Sequence, residues 1–397
     1  MKLSLLTLLT TGLASTLALA GQDVYEARAD AMGGVAVAAG NREAAAFSNP
    51  ALLALPSRRS SDFSLLIPTI GADGADKDQM IDKFDALQDN YDALVNAIDA
   101  ADTAAIDDYR KRLSGDLQSL QGNSAYVSAG INMALVMPSD GFNYAFVFKS
   151  YLDALGIAEI AAADIDALDN LDPNNPPEIQ DLTSQGRVVA GAVSELGVAV
   201  SYPLSIVNMP VTVGVTPKLQ RLDSFNYAVS ANNFDADDFN DDDYRSDDTG
   251  FNLDIGLAFQ PLDGLVIGVS GRNLIERDLS SIEAGGVQLT YQVKPMVTAG
   301  VAYDWAAFSL SSDLDLTDND KFAELEGSRY WRLGGEYRPT DWVALRLGYR
   351  QDLNDHSADL YSLGTGFAIG NSFRLDLTGM FGSDDAIGGV LQTSYHF

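Results

Sequence analysis

From Phe251 to Gln260 the chain alternates without interruption. Phe251, Leu253, Ile255, Leu257 and Phe259 fall on one face, and Asn252, Asp254, Gly256, Ala258 and Gln260 on the other. A period of two is that of a β-strand; so apolar a face needs lipid or a core, and its opposite needs water or polar partners. The pattern recurs in segments of about ten residues and is nearly continuous from Val297 to Phe397. It predicts fourteen strands, at 61–70, 124–137, 141–151, 187–202, 210–222, 249–260, 264–273, 291–305, 307–317, 328–338, 342–351, 359–369, 372–381 and 388–397. If the last strand ends in the periplasm, the tight connections at Ser139-Asp140-Gly141, Pro261 to Gly264, Ala306-Ala307, Pro339 to Asp341 and Gly370-Asn371 all lie on that side. Short turns on one side and long loops on the other are the signature of an antiparallel transmembrane β-barrel, which makes the expected fold class all-β.

Between the first two predicted strands the period changes. Phe84, Leu87, Tyr91, Leu94, Ile98 and Ala101 recur at helical spacing, and Leu113, Leu117 and Leu120 form a second stripe. The break at Ala101-Asp102-Thr103 makes residues 76–121 a pair of helices in the first extracellular loop. They either cap the barrel mouth or offer a surface to a partner or an apolar ligand. The 152–186 stretch reads as a short helix followed by a turn at Pro173 to Pro177.

At the N-terminus Lys2 precedes an apolar run from Leu3 to Leu19, and Ala18-Leu19-Ala20 forms a cleavage site. Residues 1–20 therefore read as a signal peptide, with the mature chain starting at Gly21. No later window holds the roughly 20 apolar residues of a spanning helix, so a chain that enters a membrane does so as strands. The expected organisation is a signal peptide over 1–20, a hatch or plug over 21–58 and a barrel over 59–397, in the outer membrane of a Gram-negative bacterium. In the last strand Leu391, Thr393, Tyr395 and Phe397 share a face. Tyr395 and the final Phe397 resemble the signal by which barrel assembly machinery recognises its clients.

Composition narrows the function. With 25 Lys and Arg against 56 Asp and Glu, the formal charge of -31 repels polyanions and argues against nucleic acid as a partner. There is no cysteine, and His356 and His396 are the only imidazoles. No catalytic triad or thiol chemistry can be assembled, so the chain does not read as an enzyme and calls for no cofactor. The acidic run from Asn233 to Asp248 lacks the spacing and central glycine of an EF-hand, and reads as a solvated loop rather than a metal site. The expected partners are outer-membrane lipid, the assembly machinery, a hydrophobic small molecule and a surface protein.

Small residues dominate the segment between the signal and the first strand, from Ala27 to Ala38 and from Ala44 to Leu52. Gly33-Gly34 permit close approach or unusual dihedrals, and Pro50 pushes Asn49 towards an extended conformation. Such a segment suits a barrel interior better than lipid. Met32-Gly33-Gly34 followed by Asn49-Pro50-Ala51 resembles the N-terminal hatch of FadL-type outer-membrane transporters of hydrophobic compounds, whose fourteen-stranded barrel agrees with the strand count. The layout, with its long insertion after the first strand, is similar to the outer-membrane group named conjugal transfer protein TraF. The thioredoxin-like proteins of that name require Cys-x-x-Cys, which this chain lacks. The resemblance implies a plug in the lumen and a channel for uptake of hydrophobic or amphipathic molecules, with lateral release through the wall. The alternative is a barrel anchor that presents its helical insertion for conjugal transfer, secretion or cell contact.

Alternation places Lys149, Lys218, Arg272, Arg332, Arg346, Arg350 and Arg374 in the lumen, opposite Glu195, Asp254, Asp304, Asp313, Asp315, Glu336 and Asp376. These charges either pair with one another and with Arg28 and Asp30 of the plug, or Arg332, Arg346, Arg350 and Arg374 converge with Tyr330 to grip a ligand carboxylate. Pro217 interrupts an otherwise regular strand and marks either a bulge or a gap through which a ligand leaves sideways.

Overall fold

The computed structural model describes residues 23–58, 63–76, 78–137, 142–176, 182–206, 209–235, 242–370 and 372–397. The expected signal peptide lies outside them, as do the turn at 138–141, Asn371 and the middle of the acidic loop. The strands are β1 Ser64–Ala75, β2 Ser124–Met137, β3 Asn143–Glu159, β4 Gln185–Ile206, β5 Met209–Ser230, β6 Arg245–Leu262, β7 Leu265–Arg272, β8 Arg277–Ser280 and β9 Thr290–Val293. They continue as β10 Met296–Trp305, β11 Phe308–Asp315, β12 Tyr330–Thr340, β13 Val343–Asp352, β14 Leu360–Ile369, β15 Phe373–Gly382 and β16 Ile387–His396. All but β8 and β9 form one closed antiparallel barrel of fourteen, sealed where β1 pairs with β16. The short hairpin β8–β9 stands apart as a two-stranded sheet. The predicted strand 291–305 is thus two elements, because Pro295 has no amide hydrogen to continue the ladder.

Each wall strand turns one face outward. Leu257, Ile267, Val301, Leu310, Leu345, Leu363 and Leu391 are exposed on the outside. Aromatic rings stack above and below this band: Tyr303, Trp305, Phe308 and Tyr337 run in sequence at centroid distances of 5.5, 5.8 and 4.7 Å along the short-turn rim. Trp331, Tyr349, Tyr361 and Phe381 form a second row towards the other rim. Trp331 and Tyr337 lie six residues apart on one strand, about 20 Å along it at the rise of a β-strand.

Besides register shifts at Pro261 and Pro339 beside the tight turns, the wall has two mid-strand irregularities, both at prolines. In β1 the register slips between Leu66 and Thr69 against both neighbours, a bulge centred on Pro68. At Pro217 the register holds, since Gly197 faces Lys218 and Val200 faces Val215, but the β4–β5 ladder carries no pair between them.

Strands β3 to β6 rise well beyond the apolar band, and helices pack on this extension. Helix α3 (Met80–Asp99) and helix α4 (Thr103–Leu120) form the expected hairpin, broken where Ala101 takes a positive φ and Asp102 caps α4 by accepting from Ala104 and Ala105. Phe84, Leu87, Leu94, Leu113 and Leu117 form their common core, completed by Ala158 of β3, Leu168 of helix α5 (Ala162–Asp169) and Ala231. Two short plug helices, α1 (Ala27–Asp30) and α2 (Arg42–Ser48), lie inside the barrel with a 3-10 turn at Pro50–Ala54.

Candidate functional site

The lumen is built around the hatch. Glu26 caps α1 by accepting from Ala29 N at 2.6 Å, and the chain then turns through Gly33 and Gly34 at φ values of 76° and 90°, which side chains rarely tolerate. Gly33 N donates to Ser362 Oγ at 3.0 Å. Asn49 caps the next turn through Ala51 N, an arrangement typically worth about 1 kcal/mol, and its amide nitrogen donates to Val37 O at 2.8 Å and Leu257 O at 3.1 Å. The wall receives these segments on glycines. A β-carbon on Gly334 or Gly348 would fall 2.2 Å from Met32 O or 1.9 Å from Gly33 N. One on Gly214 or Gly256 would fall 2.4 Å from Pro50 C or 2.0 Å from Asn49 Oδ1. Gly334 faces Gly348 and Gly214 faces Gly256 across the ladder, so the two hatch motifs each sit in a paired recess.

Charge holds what shape admits. Arg28 of α1 donates to Glu336 at 3.0 Å, Glu336 also accepts from Arg346 at 2.7 Å, and Arg346 reaches Asp376 at 2.6 Å. On the opposite wall Lys218 bridges Glu195 at 3.1 Å and Asp254 at 2.9 Å, with Lys149 also on Glu195. Asp313 accepts from the hatch amides of Ala36 and Val37. At the closing seam Gln392 of β16 accepts from Thr69 of β1 and from Ala27 N, each at 3.1 Å, and donates to Glu26 at 3.2 Å.

The hatch divides the arginines that alternation grouped together. Arg332, bound to Asp315 at 2.8 Å, and Arg350 lie over the Tyr330 ring at 5.1 and 4.9 Å and line a small cavity beside the plug. Arg346 and Arg374 instead line a vestibule of about 540 Å³ at the short-turn rim. Four converging guanidinium groups are therefore not found, because Met32, Gly33 and Gly34 occupy the wall between them. Pro217 faces outward, while Thr216 and Lys218 beside it face the lumen. Tyr395 and Phe397 point outward, with ring centroids 4.7 Å apart and Phe397 N donating to Phe63 O.

Two features have no counterpart in the sequence reading. Outer loops fold into the lumen, where Lys321 pairs with Asp23 of the plug and with Asp153 at 3.0 Å, its ammonium 4.7 Å from the Tyr151 ring. Burial alone would lower the Lys321 pKa, but Asp153 and Asp23 outweigh it and hold the ammonium above its ordinary range. Burial would likewise raise Asp23, yet Lys321 and Arg272 keep that carboxyl below its usual range. The second feature is a groove of about 990 Å³ at the outer rim. Met80, Ile81 and Phe84 of α3 form one side, Phe234 another, and Val127, Val188 and Ile387 the floor. Its lining includes outward residues of the wall, such as Ala72 and Val127, and inward ones, Asp73, Tyr126 and Gly388, so it straddles the rim. At its inner end Tyr126 lies within electrostatic range of Asp73, Arg350 and Tyr330.

Comparison with known proteins agrees with this architecture. The toluene transporter TodX of Pseudomonas putida is similar over 95% of this chain and 97% of its own, at 13% identity and a TM-score of 0.52. The toluene transporter TbuX of Ralstonia pickettii covers 94% and 97%, at 11% identity and 0.54. CymD, a monoaromatic hydrocarbon channel, covers 95% and 97%, at 13% identity and 0.51. At such identities the likeness establishes the fold alone, the one this chain shares with these channels. No curated protein sequence matches the chain. The family described as "F plasmid transfer operon, TraF, protein" matches residues 46–315, more than half of the 397. The chain, a closed fourteen-stranded barrel, belongs to that TraF family.

Proposed function

We propose that the barrel takes up hydrophobic or amphipathic small molecules, which it captures at the rim groove. The groove carries the reading: about 990 Å³ of largely apolar space, running over the barrel rim, is the size and character of a small-molecule site. The channels TodX, TbuX and CymD share the fold, which supports the reading. In it the chain is exported by residues 1–20 and presented to the assembly machinery through Tyr395 and Phe397. The hatch motifs plug the lumen, and Arg332, Arg346, Arg350 and Arg374 serve its packing and electrostatics. Release is lateral, at Pro68 or Pro217, where the wall ladder is interrupted. The protein is a carrier without catalytic chemistry. The test is mass spectrometry of small molecules extracted from the purified barrel, with an unrelated barrel as control. Enriched apolar compounds are expected, and an empty protein that stays empty after incubation with hydrocarbons and amphiphiles refutes uptake.

The family match favours a second reading, since residues 46–315 include the whole helical insertion. There the barrel anchors α3 and α4 as a surface for conjugal transfer, secretion or cell contact. Removing residues 78–120 would then abolish DNA transfer or adhesion while leaving bound small molecules unchanged.

A further inference from the structure

We propose that the rim groove selects amphiphiles whose head group is cationic and donates hydrogen bonds, and that it turns away fatty-acid anions. This rests on the groove being the capture site and adds the chemistry of what it captures. Five carboxylates line it: Asp73, Asp76, Asp85, Asp235 and Asp385. Among the described lining residues there is no Lys or Arg. Asp76 accepts from Met80 N at 2.6 Å, which orients its carboxylate at the start of α3 without removing its charge. Asp85 and Asp385 are open to solvent at the mouth.

The inner end of the groove is more specific than its mouth. Asp73 is only 4% exposed, and its Oδ1 accepts from the Tyr25 hydroxyl at 2.5 Å. Its Oδ2 is buried and makes no well-formed hydrogen bond among the described residues, although the Tyr126 hydroxyl also interacts with this carboxyl. A carboxylate oxygen in this position only accepts, so the group that satisfies it must donate. An alkylammonium offers three N–H donors and the opposite charge; a second carboxylate would oppose it lone pair to lone pair. Arg350, a nearby cation, stacks on Tyr330 and lies outside the lining. The apolar walls suit any aliphatic chain, so discrimination falls to the head. Several carboxylates within roughly a Debye length of one site favour an ammonium over a carboxylate head by about tenfold or more at low salt.

The test uses the full-length barrel in phosphatidylcholine nanodiscs and three photoreactive dodecyl probes with identical chains, ending in an amine, an alcohol or a carboxylate. Peptide mapping by mass spectrometry gives labelling of the Met80–Gln88 and Ala125–Val127 segments, divided by labelling of the lipid-facing Leu345–Leu347 segment to cancel membrane partitioning. The amine is expected to exceed the carboxylate by about tenfold in this ratio, and the preference is expected to shrink as salt rises. Asp85→Asn/Asp385→Asn, two exposed changes, should narrow it several-fold with the barrel intact. Groove labelling by the alcohol, with amine and carboxylate equal, overturns the head-group selectivity and leaves capture standing. No groove labelling by any probe overturns capture itself.

Discussion

Gly334 and Gly335 are neighbours on β12 that face opposite ways, and substituting each by alanine makes a controlled test of how the hatch is seated. A β-carbon on Gly334 would lie 2.2 Å from Met32 O and 2.5 Å from Met32 Cβ, whereas one on Gly335 meets nothing closer than Ser309 O at 3.8 Å. Ordinary contact needs about 3.4 Å, so Gly334→Ala forces the hatch back by about 1 Å from a wall it fills completely. Overpacking of that kind costs about 1–3 kcal/mol. Met32 is fully buried and belongs to the hatch, so the cost falls on hatch docking more than on the strand ladder. At about 1.4 kcal/mol per factor of ten, the undocked population rises roughly 5- to 150-fold. Trypsin cleavage at Arg28 reports it, because that arginine is 8% exposed and bound to Glu336 while the hatch is docked. With opening fast relative to cleavage, the rate tracks the open population. Gly334→Ala should be cut at Arg28 at least several-fold faster than wild type, and Gly335→Ala at the wild-type rate. Equal protection in two variants that both run as folded, heat-modifiable barrels would refute the seating described.

Three further outcomes are expected. Arg346→Ala leaves Glu336 and Asp376 without a cation they share, and breaking such a buried pair typically costs about 3–5 kcal/mol. Its heat-modification midpoint should fall clearly, while Arg374→Ala, exposed and without an ion-pair partner among the described residues, should not move it. Deleting residues 78–120 should leave a folded barrel in membranes, since the hairpin core sits on the strand extension above the lipid band; loss of the heat-modifiable form would make the helices part of the barrel's own stability. Lys321→Met should expose Arg28 to trypsin by uncoupling Asp23 and Asp153. Asp23 is held below its ordinary carboxylate value, so its contribution is present above pH 3.8 and lost only as pH falls through the lower folded value. Lys321 is held above 10.5, so its contribution is present below that and lost only as pH rises through the higher folded value. The difference between wild type and Lys321→Met should therefore be flat from about pH 5 to 9, and a difference that vanishes inside that window would contradict the tether.

The strand count and turn parity were legible because an apolar outer face and a polar lumen impose alternation on every wall strand. The reading faltered where that contrast ends. On the tall side, Ala154, Val188 and Ala190 face outward yet are buried beneath Phe234 and neighbouring loop residues. Both faces there are covered, the alternation fades, and β3 and β4 run past their predicted ends. Pro295 was visible in the sequence as a break but was absorbed into a strand by the apolar residues around it. Charge signs along the wall showed that pairing was possible. Whether Arg346 meets a ligand or Glu336 depends on the hatch standing between strands distant in sequence. The helical stripe of α3 was plain, but its groove is completed by Phe234 and Ile387, far away along the chain. The glycines at inward positions, Gly214, Gly256, Gly334 and Gly348, were the one unused local signal: an inward strand position with no side chain marks a place where another backbone approaches.

Gln392 ties the order of assembly to the content of the lumen. It sits on the last strand, and its one side chain joins the first strand at Thr69 and the hatch at Ala27 and Glu26. A barrel zipped shut around an empty interior would leave Gln392 without Ala27 and Glu26, Glu336 without Arg28, Asp313 without the Ala36 and Val37 amides, and a row of glycine recesses unfilled. Sealing of the β1–β16 seam and arrival of the plug thus complete each other's bonds, and the final strand can reach its full stability only on a cylinder that is already filled.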